Sequence, residues 1–315
     1  MNTRTISIHK STMQAALWAL FFLSCLPQYL YSQISGYDIL NLDRSARSSA
    51  LGGAFASIAG DVDALFYNPA GLAEIEEKSA GFTYLNHVLD INSGSFVVVA
   101  PRGANKYGIG FHYINYGDFE RREGDGTYTG LFGAQDIVLT GGYAQKYSEN
   151  IYLGASAKAL YSKIDTYSST AFAGDIGLIY SIPRYMLNIG ISLTNIGFIA
   201  QAYDTIKDDL PASFRAGISK DLAHLPLLWS FEYRRFLDGE NQLLGGGEFS
   251  FSESFKGRIG YNSYGRDQKI GSEGGALSGF SFGFGFFWKK YTFDYAYTSM
   301  GIIGNVNRLS VVFSF

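Results

Sequence analysis

The residues that could support catalysis are few and widely spaced. Past position 32 the chain has three histidines, His87, His112 and His224, and its single cysteine, Cys25, lies before that point. A serine hydrolase needs a histidine held beside a nucleophilic serine, and no stretch of the sequence indicates such a pair. We therefore predict that the protein is not an enzyme.

Metal and phosphate chemistry also lack the residues they need. Residues 61–63 read Asp-Val-Asp, but an isolated pair of carboxylates lacks the other oxygen ligands of a calcium loop. The glycine-rich stretches at 245–247 and 283–285 are not followed by the Lys-Ser or Lys-Thr of a phosphate-binding loop. We predict no metal site and no cofactor, and the formal net charge of −3 gives no reason to expect a nucleic-acid partner.

Most of the chain alternates between apolar and small polar residues with a period of two. Residues 280–288 set four phenylalanines and a tryptophan against serine and glycine, and residues 187–194 and 291–298 follow the same pattern. Such alternation indicates β-strands. The polar face is rich in Gly, Ser and Thr, which suits a barrel whose interior is polar and whose aromatic exterior contacts lipid. A soluble β-sandwich or propeller is the alternative.

These patterns predict an all-β fold: a transmembrane antiparallel β-barrel of about fourteen strands with a plug of short helices in its lumen. The predicted strands lie at 79–87, 94–101, 106–116, 135–147, 151–165, 170–182, 185–197, 211–222, 226–236, 241–252, 255–263, 277–288, 290–299 and 307–315. Short links alternate with links that include long loops at 117–134, 198–210 and 264–276. This arrangement is typical of bacterial outer-membrane barrels, so we expect that location, with membrane lipid around the barrel.

The sequence divides into three segments. Residues 1–32 carry Arg4 and Lys10 ahead of a short apolar run, which predicts a signal peptide, with a permanent membrane anchor as the alternative. Residues 33–78 do not alternate and predict the plug, and residues 79–315 predict the barrel.

One short motif in the plug segment, Asn68-Pro69-Ala70, has two interpretations. Helical water channels carry two Asn-Pro-Ala motifs among several spanning helices, and here the motif occurs once, so that interpretation fails. Asn68 is well placed to cap a helical turn whose first residue is Pro69. We therefore predict a plug motif that starts a short helix.

Alternation also places charged residues inside the barrel. The wall charges predicted to face the lumen are Lys158, Asp175, Arg215, Glu232, Arg234, Arg258 and Asp294. The plug segment carries Asp43, Arg44, Arg47, Asp61 and Asp63. Enclosed charges need partners or water, so we predict ion pairs between plug and wall. A substrate path lined by these charges is the alternative.

Several stretches together resemble a known family. They are S-A-R-S-S-A-L-G-G-A-F (45–55), F-Y-N-P-A-G-L (66–72), Y-I-N-Y-G-D-F (113–119), K-A-L-Y-S-K-I-D-T-Y (158–167), A-G-D-I-G-L-I-Y (173–180) and F-D-Y-A-Y (293–297). A hatch with one Asn-Pro-Ala before fourteen strands resembles the FadL-type barrels, and these stretches resemble the PorV/PorQ family, with PorQ the nearer member. The resemblance implies a component of the type IX secretion system that holds a surface lipoprotein or secreted cargo protein.

Two functions remain open at the level of sequence. A docking scaffold would use aromatic residues in or beside the long loops, namely Tyr116, Phe119, Tyr128, Phe132, Tyr203 and Tyr264. The same rings could instead belong to the aromatic girdle at the membrane surface. The alternative function is a FadL-like transporter of hydrophobic small molecules, which the hatch and the number of strands support.

Overall fold

The computed structural model describes residues 36–87, 91–203, 209–267, 277–301 and 304–315. Within them, fourteen strands form a closed barrel in which sequence neighbours pair antiparallel and β1 pairs with β14. The strands are β1 (Ser79–Asn86), β2 (Asn92–Arg102), β3 (Asn105–Arg122), β4 (Tyr128–Lys146), β5 (Ile151–Ile164), β6 (Tyr167–Ile182), β7 (Leu187–Gln201), β8 (Ser213–Asp221), β9 (Leu227–Phe236), β10 (Asn241–Ser252), β11 (Phe255–Asn262), β12 (Phe280–Trp288), β13 (Tyr291–Ser299) and β14 (Asn305–Ser314). The predicted fold class is confirmed, and the predicted signal peptide at 1–32 lies outside the described residues.

Side chains on the two faces of the wall differ as the alternation predicts. On β12 the outward Phe282, Phe284, Phe286 and Trp288 are between 38% and 53% exposed, whereas the inward Ser281 is 2% exposed. Large apolar side chains exposed on strand after strand would form an apolar surface far larger than a soluble protein carries. The exterior is therefore suited to contact with lipid, as in transmembrane barrels.

The hairpin of β3 and β4 differs from the prediction. The expected loop at 117–134 is mostly strand, because β3 continues to Arg122 and β4 begins at Tyr128. Beyond Asn115 of β3 and Ala134 of β4 the two strands pair only with each other, so the hairpin extends past β2 and β5. An extra residue in β3 at Tyr116–Gly117 forms a bulge, which shifts the alternation by one position and conceals the strand in the sequence.

The other two predicted loops also differ in part from the structure. β7 continues to Gln201, so the predicted loop at 198–210 begins later, and its residues 204–208 lie outside the described residues. The predicted loop at 264–276 starts with a short helix, Tyr264–Asp267, and its remaining residues are likewise not described.

The plug segment crosses the lumen from one rim of the barrel to the other. Lys78 accepts a hydrogen bond from the backbone of Phe315 where β1 and β14 meet, at the end of the barrel that we call the turn rim. Gly36 lies beside Tyr116 and Phe119 at the opposite end, which we call the hairpin rim. Between them the chain forms the 3-10 helices Asp38–Leu40, Val62–Phe66 and Pro69–Glu74 and the α-helix Ala46–Ala50.

Two apolar layers join the plug to the wall. The layer nearer the turn rim contains Phe55, Leu65 and Leu72 of the plug, packed with wall residues such as Val97 and Ile179. The layer nearer the hairpin rim is built from Tyr37, Ile39, Leu40, Ile114, Val138, Leu160, Ala171 and Ile199. A further 3-10 helix, Pro183–Tyr185, lies in the turn between β6 and β7. No helix among the described residues has the length and apolar composition needed to cross a membrane.

Candidate functional site

The plug motif is attached to the wall by the side chain of Asn68. This side chain is fully buried, and its Nδ2 donates to the carbonyl oxygens of Ala56 at 2.6 Å and of Leu178 and Ile191 at 3.3 Å each. Its Oδ1 accepts a hydrogen bond from the Ala70 nitrogen at 3.1 Å, which caps the 3-10 helix that follows. One amide group therefore starts a helix, joins two parts of the plug, and fixes both to β6 and β7.

Glycines in the facing strands make room for this motif. A Cβ atom placed at Gly154 of β5 would overlap the backbone of Pro69 and Ala70, and one at Gly177 of β6 would overlap Oδ1 of Asn68. Any larger residue at either position would displace the plug. These inward glycines are therefore packing sites for the plug.

Arg47 forms an ion pair between plug and wall. Its guanidinium lies 2.9 Å from Asp61 of the plug and 2.9 Å from Glu248 of β10. Glu248 is also paired with Lys256 at 2.9 Å and Arg258 at 2.7 Å, so that one carboxylate joins three cations. Glu248 was not among the predicted wall charges, although it falls on the inward side of the alternation that runs through β10.

Six of the seven predicted wall charges pair with each other, and the seventh, Arg234, contacts the plug instead. Lys158 lies 2.8 Å from Asp175, and Arg215 lies 2.5 Å from Glu232. Arg258 lies 2.5 Å from Asp294, in addition to its contact with Glu248. The first two ion pairs join neighbouring strands inside the barrel, and the third joins β11 to β13 across β12.

Wall charges hold the plug mainly through its backbone. Glu232 accepts hydrogen bonds from the nitrogens of Phe55 at 2.9 Å and Ala56 at 2.8 Å. Arg215 donates to the Gly53 carbonyl at 3.0 Å. Plug and wall are therefore joined by charge-to-amide contacts more than by charge pairs.

Two further wall arginines contact the plug near the hairpin rim. Arg308 donates to the carbonyl oxygen of Asp43 at 3.1 Å. Arg234 donates to Oδ1 of Asn41 at 2.7 Å. These contacts hold the segment that follows the apolar layer of the hairpin rim, and they again involve an amide or carbonyl oxygen of the plug.

Arg44 and Asp63 are buried plug charges in unusual surroundings. Arg44 donates from Nε to Nδ1 of His112 at 3.0 Å and lies over the ring of Phe66, and burial lowers the pKa of its guanidinium. Burial, reinforced by the nearby Asp61, raises the pKa of Asp63 to about 8. The structure thus places both residues inside the plug assembly, where neither lines an open path.

Above the plug, the hairpin rim holds a cavity of about 270 Å³. It is lined by Gly36, Tyr116, Phe119, Phe132, Ala134, Asp136, Ser162, Ile164 and Tyr203. Four of the six predicted loop aromatics therefore meet on the inner face of β3 and β4 and just beyond the end of β7. Tyr128 is exposed at the start of β4, and Tyr264 follows β11, seven strands from β4 in the barrel order.

The cavity combines aromatic walls with a single carboxyl group among its lining residues. The rings of Phe119 and Phe132 stack with their centroids 5.4 Å apart. The carboxylate of Asp136 accepts a hydrogen bond from the Tyr116 hydroxyl at 2.8 Å and another from Ser162. Asp136 and Ser162 were not among the predicted site residues, although both fall on the inward side of their strands.

The histidines do not assemble a catalytic group. Nε2 of His87 lies 3.0 Å from Oγ of Ser93, but no carboxylate in the described part of the chain orients that ring. His112 is buried against Arg44, and its Nε2 has no partner among the described residues. Among the described residues, no three or more His, Cys, Asp or Glu side chains lie together in a group that could hold a metal ion.

Comparison with known proteins gives the fold a wider context. No protein-family model and no curated protein matches the chain. The toluene transporter TbuX of Ralstonia pickettii aligns over 84% of this chain and 95% of its own, with 14% identity and a TM-score of 0.58. The Pseudomonas putida toluene transporter TodX aligns over 85% and 97%, with 12% identity and a TM-score of 0.60.

A third solved structure, of a Pseudomonas aeruginosa FadL homologue, aligns over 86% of this chain and 98% of its own, with 12% identity and a TM-score of 0.57. At these identities the likeness concerns the fold, and it extends over nearly the whole of each relative. The chain therefore has the fold of the FadL-like outer-membrane barrels of fourteen strands.

Proposed function

We propose that the protein binds small hydrophobic molecules at the hairpin rim, as the first step of their passage into the outer membrane. The observation that carries this proposal is the aromatic cavity above the plug. Ligand sites are typically concave and mostly apolar, with a few polar groups that orient the ligand. Two proteins of similar structure, TbuX and TodX, are toluene transporters, which supports a ligand of that kind.

The size of the cavity bounds the ligand. An apolar cavity of about 150 Å³ accepts benzene. A cavity of about 270 Å³ therefore suits one substituted ring or a short chain. Tyr37, Ile39 and Leu40 form part of the apolar layer beneath the cavity, so onward passage through the lumen requires this part of the plug to move.

Two tryptophan substitutions test this function. Ala134→Trp fills the cavity from β4, whereas Ala157→Trp adds the same ring to the exposed outer face of β5. We expect toluene, titrated calorimetrically into protein in lipid nanodiscs, to bind the wild type and Ala157→Trp equally. Binding to Ala134→Trp should be at least tenfold weaker. Equal binding by both variants, measured against nanodiscs without protein, would overturn the proposal.

A docking role is the second candidate, and the long hairpin of β3 and β4 favours it. The hairpin extends beyond its neighbours and exposes Tyr128 and Leu131, which are 53% and 58% exposed. Exposed aromatic and aliphatic residues of this kind can anchor a protein partner. By resemblance to the PorV/PorQ family, that partner would be a surface lipoprotein or secreted cargo protein of a type IX system.

The docking role predicts a specific loss. The double variant Tyr128→Ser/Leu131→Ser changes the exposed hairpin and leaves every residue that lines the cavity in place. A lipoprotein or cargo protein that copurifies with the wild type from gently solubilised outer membrane should be lost with this variant, while toluene binding stays unchanged. Undiminished copurification would reject the hairpin as the docking surface.

A further inference from the structure

We propose that the rim cavity selects small aromatic ligands with a cationic, hydrogen-bond-donating head group and discriminates against carboxylates. This inference rests on the proposed function, because it names the ligand class of the same cavity. Its structural basis is the Asp136 carboxylate, the only charged side chain among the lining residues that the structure describes. Asp136 is 4% exposed, so it meets a ligand in a largely dry environment.

The hydroxyl groups around Asp136 reveal how its oxygens are used. Tyr116 donates to Oδ2 at 2.8 Å, and Ser162 donates to Oδ1. Because the only hydroxyl hydrogen of Ser162 is directed at Asp136, the contact between Ser162 and Tyr203 has Tyr203 as its donor. Two hydroxyl groups therefore donate directly to the carboxylate of Asp136, and Tyr203 extends this hydrogen-bonded chain through Ser162.

An ionised Asp136 retains capacity for a donor on the ligand. A carboxylate offers about four lone-pair sites, and two of them are used by Tyr116 and Ser162. Hydrogen bonds between an ammonium group and a carboxylate are short and roughly twice as strong as neutral ones. A ligand carrying an ammonium group can therefore complete the coordination of Asp136 while its ring occupies the apolar part of the cavity.

The aromatic walls of the cavity also favour a cationic ligand over an anionic one. Phe119, Phe132 and Tyr203 contribute aromatic rings to the lining, and the face of an aromatic ring attracts cations. A ligand carboxylate would instead place a second negative charge beside Asp136 in a weakly polarisable environment. The walls and the carboxylate together favour an aromatic ammonium ion over a carboxylate of the same size.

One cation near the cavity could oppose this selectivity. The guanidinium of Arg121 lies 5.9 Å from the centroid of the Phe132 ring. It is paired with Asp165, and its side chain is 45% exposed, so solvent and a carboxylate already compensate its charge. Arg121 is not among the cavity-lining residues, and we expect Arg121→Gln to leave the order of ligand affinities unchanged.

Three ligands with the same methyl-substituted ring test the inference: 4-methylbenzylamine, toluene and 4-methylbenzoate. They are titrated calorimetrically into the full protein in nanodiscs of zwitterionic lipid. We expect the amine to bind the wild type at least tenfold more tightly than the benzoate, with toluene between them. Asp136→Asn should reduce the difference between amine and benzoate to less than about twofold.

Asp118→Asn is the matched control, because it makes the same change of charge at an exposed position of the hairpin outside the cavity lining. It should preserve the wild-type order of affinities. Equal binding of amine and benzoate to the wild type would overturn the inference even if Asp136→Asn failed to fold. If toluene binds but Asp136→Asn leaves the ratio unchanged, only the inference fails. If no ligand binds the wild type, the proposed function fails with it.

Discussion

The two ends of strand β5 meet the interior of the barrel in opposite ways. Towards the turn rim its inward position is Gly154, and the plug backbone at Pro69 and Ala70 occupies the space of a side chain. Towards the hairpin rim its inward positions are Ser162 and Ile164, which line the cavity. The size of the inward side chain therefore determines whether the plug approaches the wall or a cavity remains.

The neighbouring strands β3 and β4 show the same change from inward glycines near the turn rim to large inward side chains near the hairpin rim. On β3, a Cβ atom at Gly110 would overlap the ring of Phe66, whereas Tyr116 lines the cavity near the other rim. On β4, a Cβ atom at Gly142 would overlap Leu65, whereas Phe132 lines the cavity. We call the inward glycines 110, 142 and 154 the glycine floor, and the cavity-lining rings of Tyr116, Phe119 and Phe132 the aromatic rim. The plug fills the interior beside the glycine floor, and a cavity that can receive a ligand remains beside the aromatic rim.

The largest loss of folding stability is expected from a larger side chain at an inward glycine of the glycine floor. Gly154→Val would place side-chain atoms on the backbone of Pro69 and Ala70, and backbone cannot move aside as a flexible side chain can. We expect a loss of about 3 kcal/mol or more, at the upper end of overpacking costs. The measurement is the midpoint of thermal unfolding, followed by the gel mobility of the folded barrel in detergent.

The control for this change is Gly141→Val on β4, where an added Cβ meets nothing within 4 Å. It should unfold within about 2 °C of the wild type, as expected for a surface substitution. Equal destabilisation by the two valines would mean that the plug does not rely on the inward glycine.

The next largest effect is expected from Asn68→Ala. The substitution removes three donated hydrogen bonds and leaves the buried carbonyl of Ala56 without its donor at 2.6 Å. Each unsatisfied buried group costs about 1–3 kcal/mol, so we expect a loss of about 2 kcal/mol or more. Thermal unfolding should show it, whereas Asn305→Ala, at an exposed position of β14, should have little effect.

Sequence alone could predict the barrel but not the way it is filled. The strand number and the sidedness follow from alternation, which is a local property that eight or nine residues such as 280–288 already display. The contacts of Asn68 with Leu178 and Ile191 join residues more than 100 positions apart, and no local pattern encodes such a pairing. The motif could be recognised as a helix start, but its partners could not.

Only part of the candidate site could be predicted from the sequence, for a related reason. Tyr116, Phe119, Phe132 and Tyr203 could be singled out as aromatic residues near loops, yet as partners for a protein and not as the walls of a cavity. The bulge at Tyr116–Gly117 turns Phe119 inward, so that its ring stacks on Phe132. Because a bulge resets the alternation, the period of two assigns such residues to the wrong side.

A smaller effect is expected from Arg47→Gln, which tests the ion pairs of the plug. The change leaves Glu248 with Lys256 and Arg258, so that the main loss is the partner of Asp61. We expect about 1–2 kcal/mol, less than the 3–5 kcal/mol typical when a fully buried pair is broken. Limited proteolysis in detergent should cleave residues 38–78 faster than in the wild type.

Two further variants are compared with Arg47→Gln. Arg184→Gln, at the exposed turn between β6 and β7, removes the same charge away from the plug and should leave proteolysis unchanged. Adding Arg44→Gln should accelerate cleavage further, because Arg44 holds the carbonyl of Ile39 and the ring nitrogen of His112. Unchanged protection in the double variant would mean that these arginines do not secure the plug.

A dependence of stability on pH is expected from Asp63. The pKa of Asp63 is raised from 3.8 to about 8, so the folded state retains a proton that the unfolded chain releases. Stability from this group is therefore fully present below about pH 4 and is lost as pH rises through 8. Asp63→Asn is permanently neutral, so its melting temperature relative to the wild type should rise between pH 4 and pH 9. A constant difference would contradict a neutral Asp63.

The difference between the glycine floor and the aromatic rim is tested most directly by locating a ligand. Crystals of the full protein soaked with 4-bromotoluene would reveal the bromine by its anomalous scattering. We predict a peak in the cavity at the hairpin rim, beside Phe119 and Phe132. A peak confined to the region of the plug around Asn68, or to the lipid-facing surface of the barrel, would contradict the account.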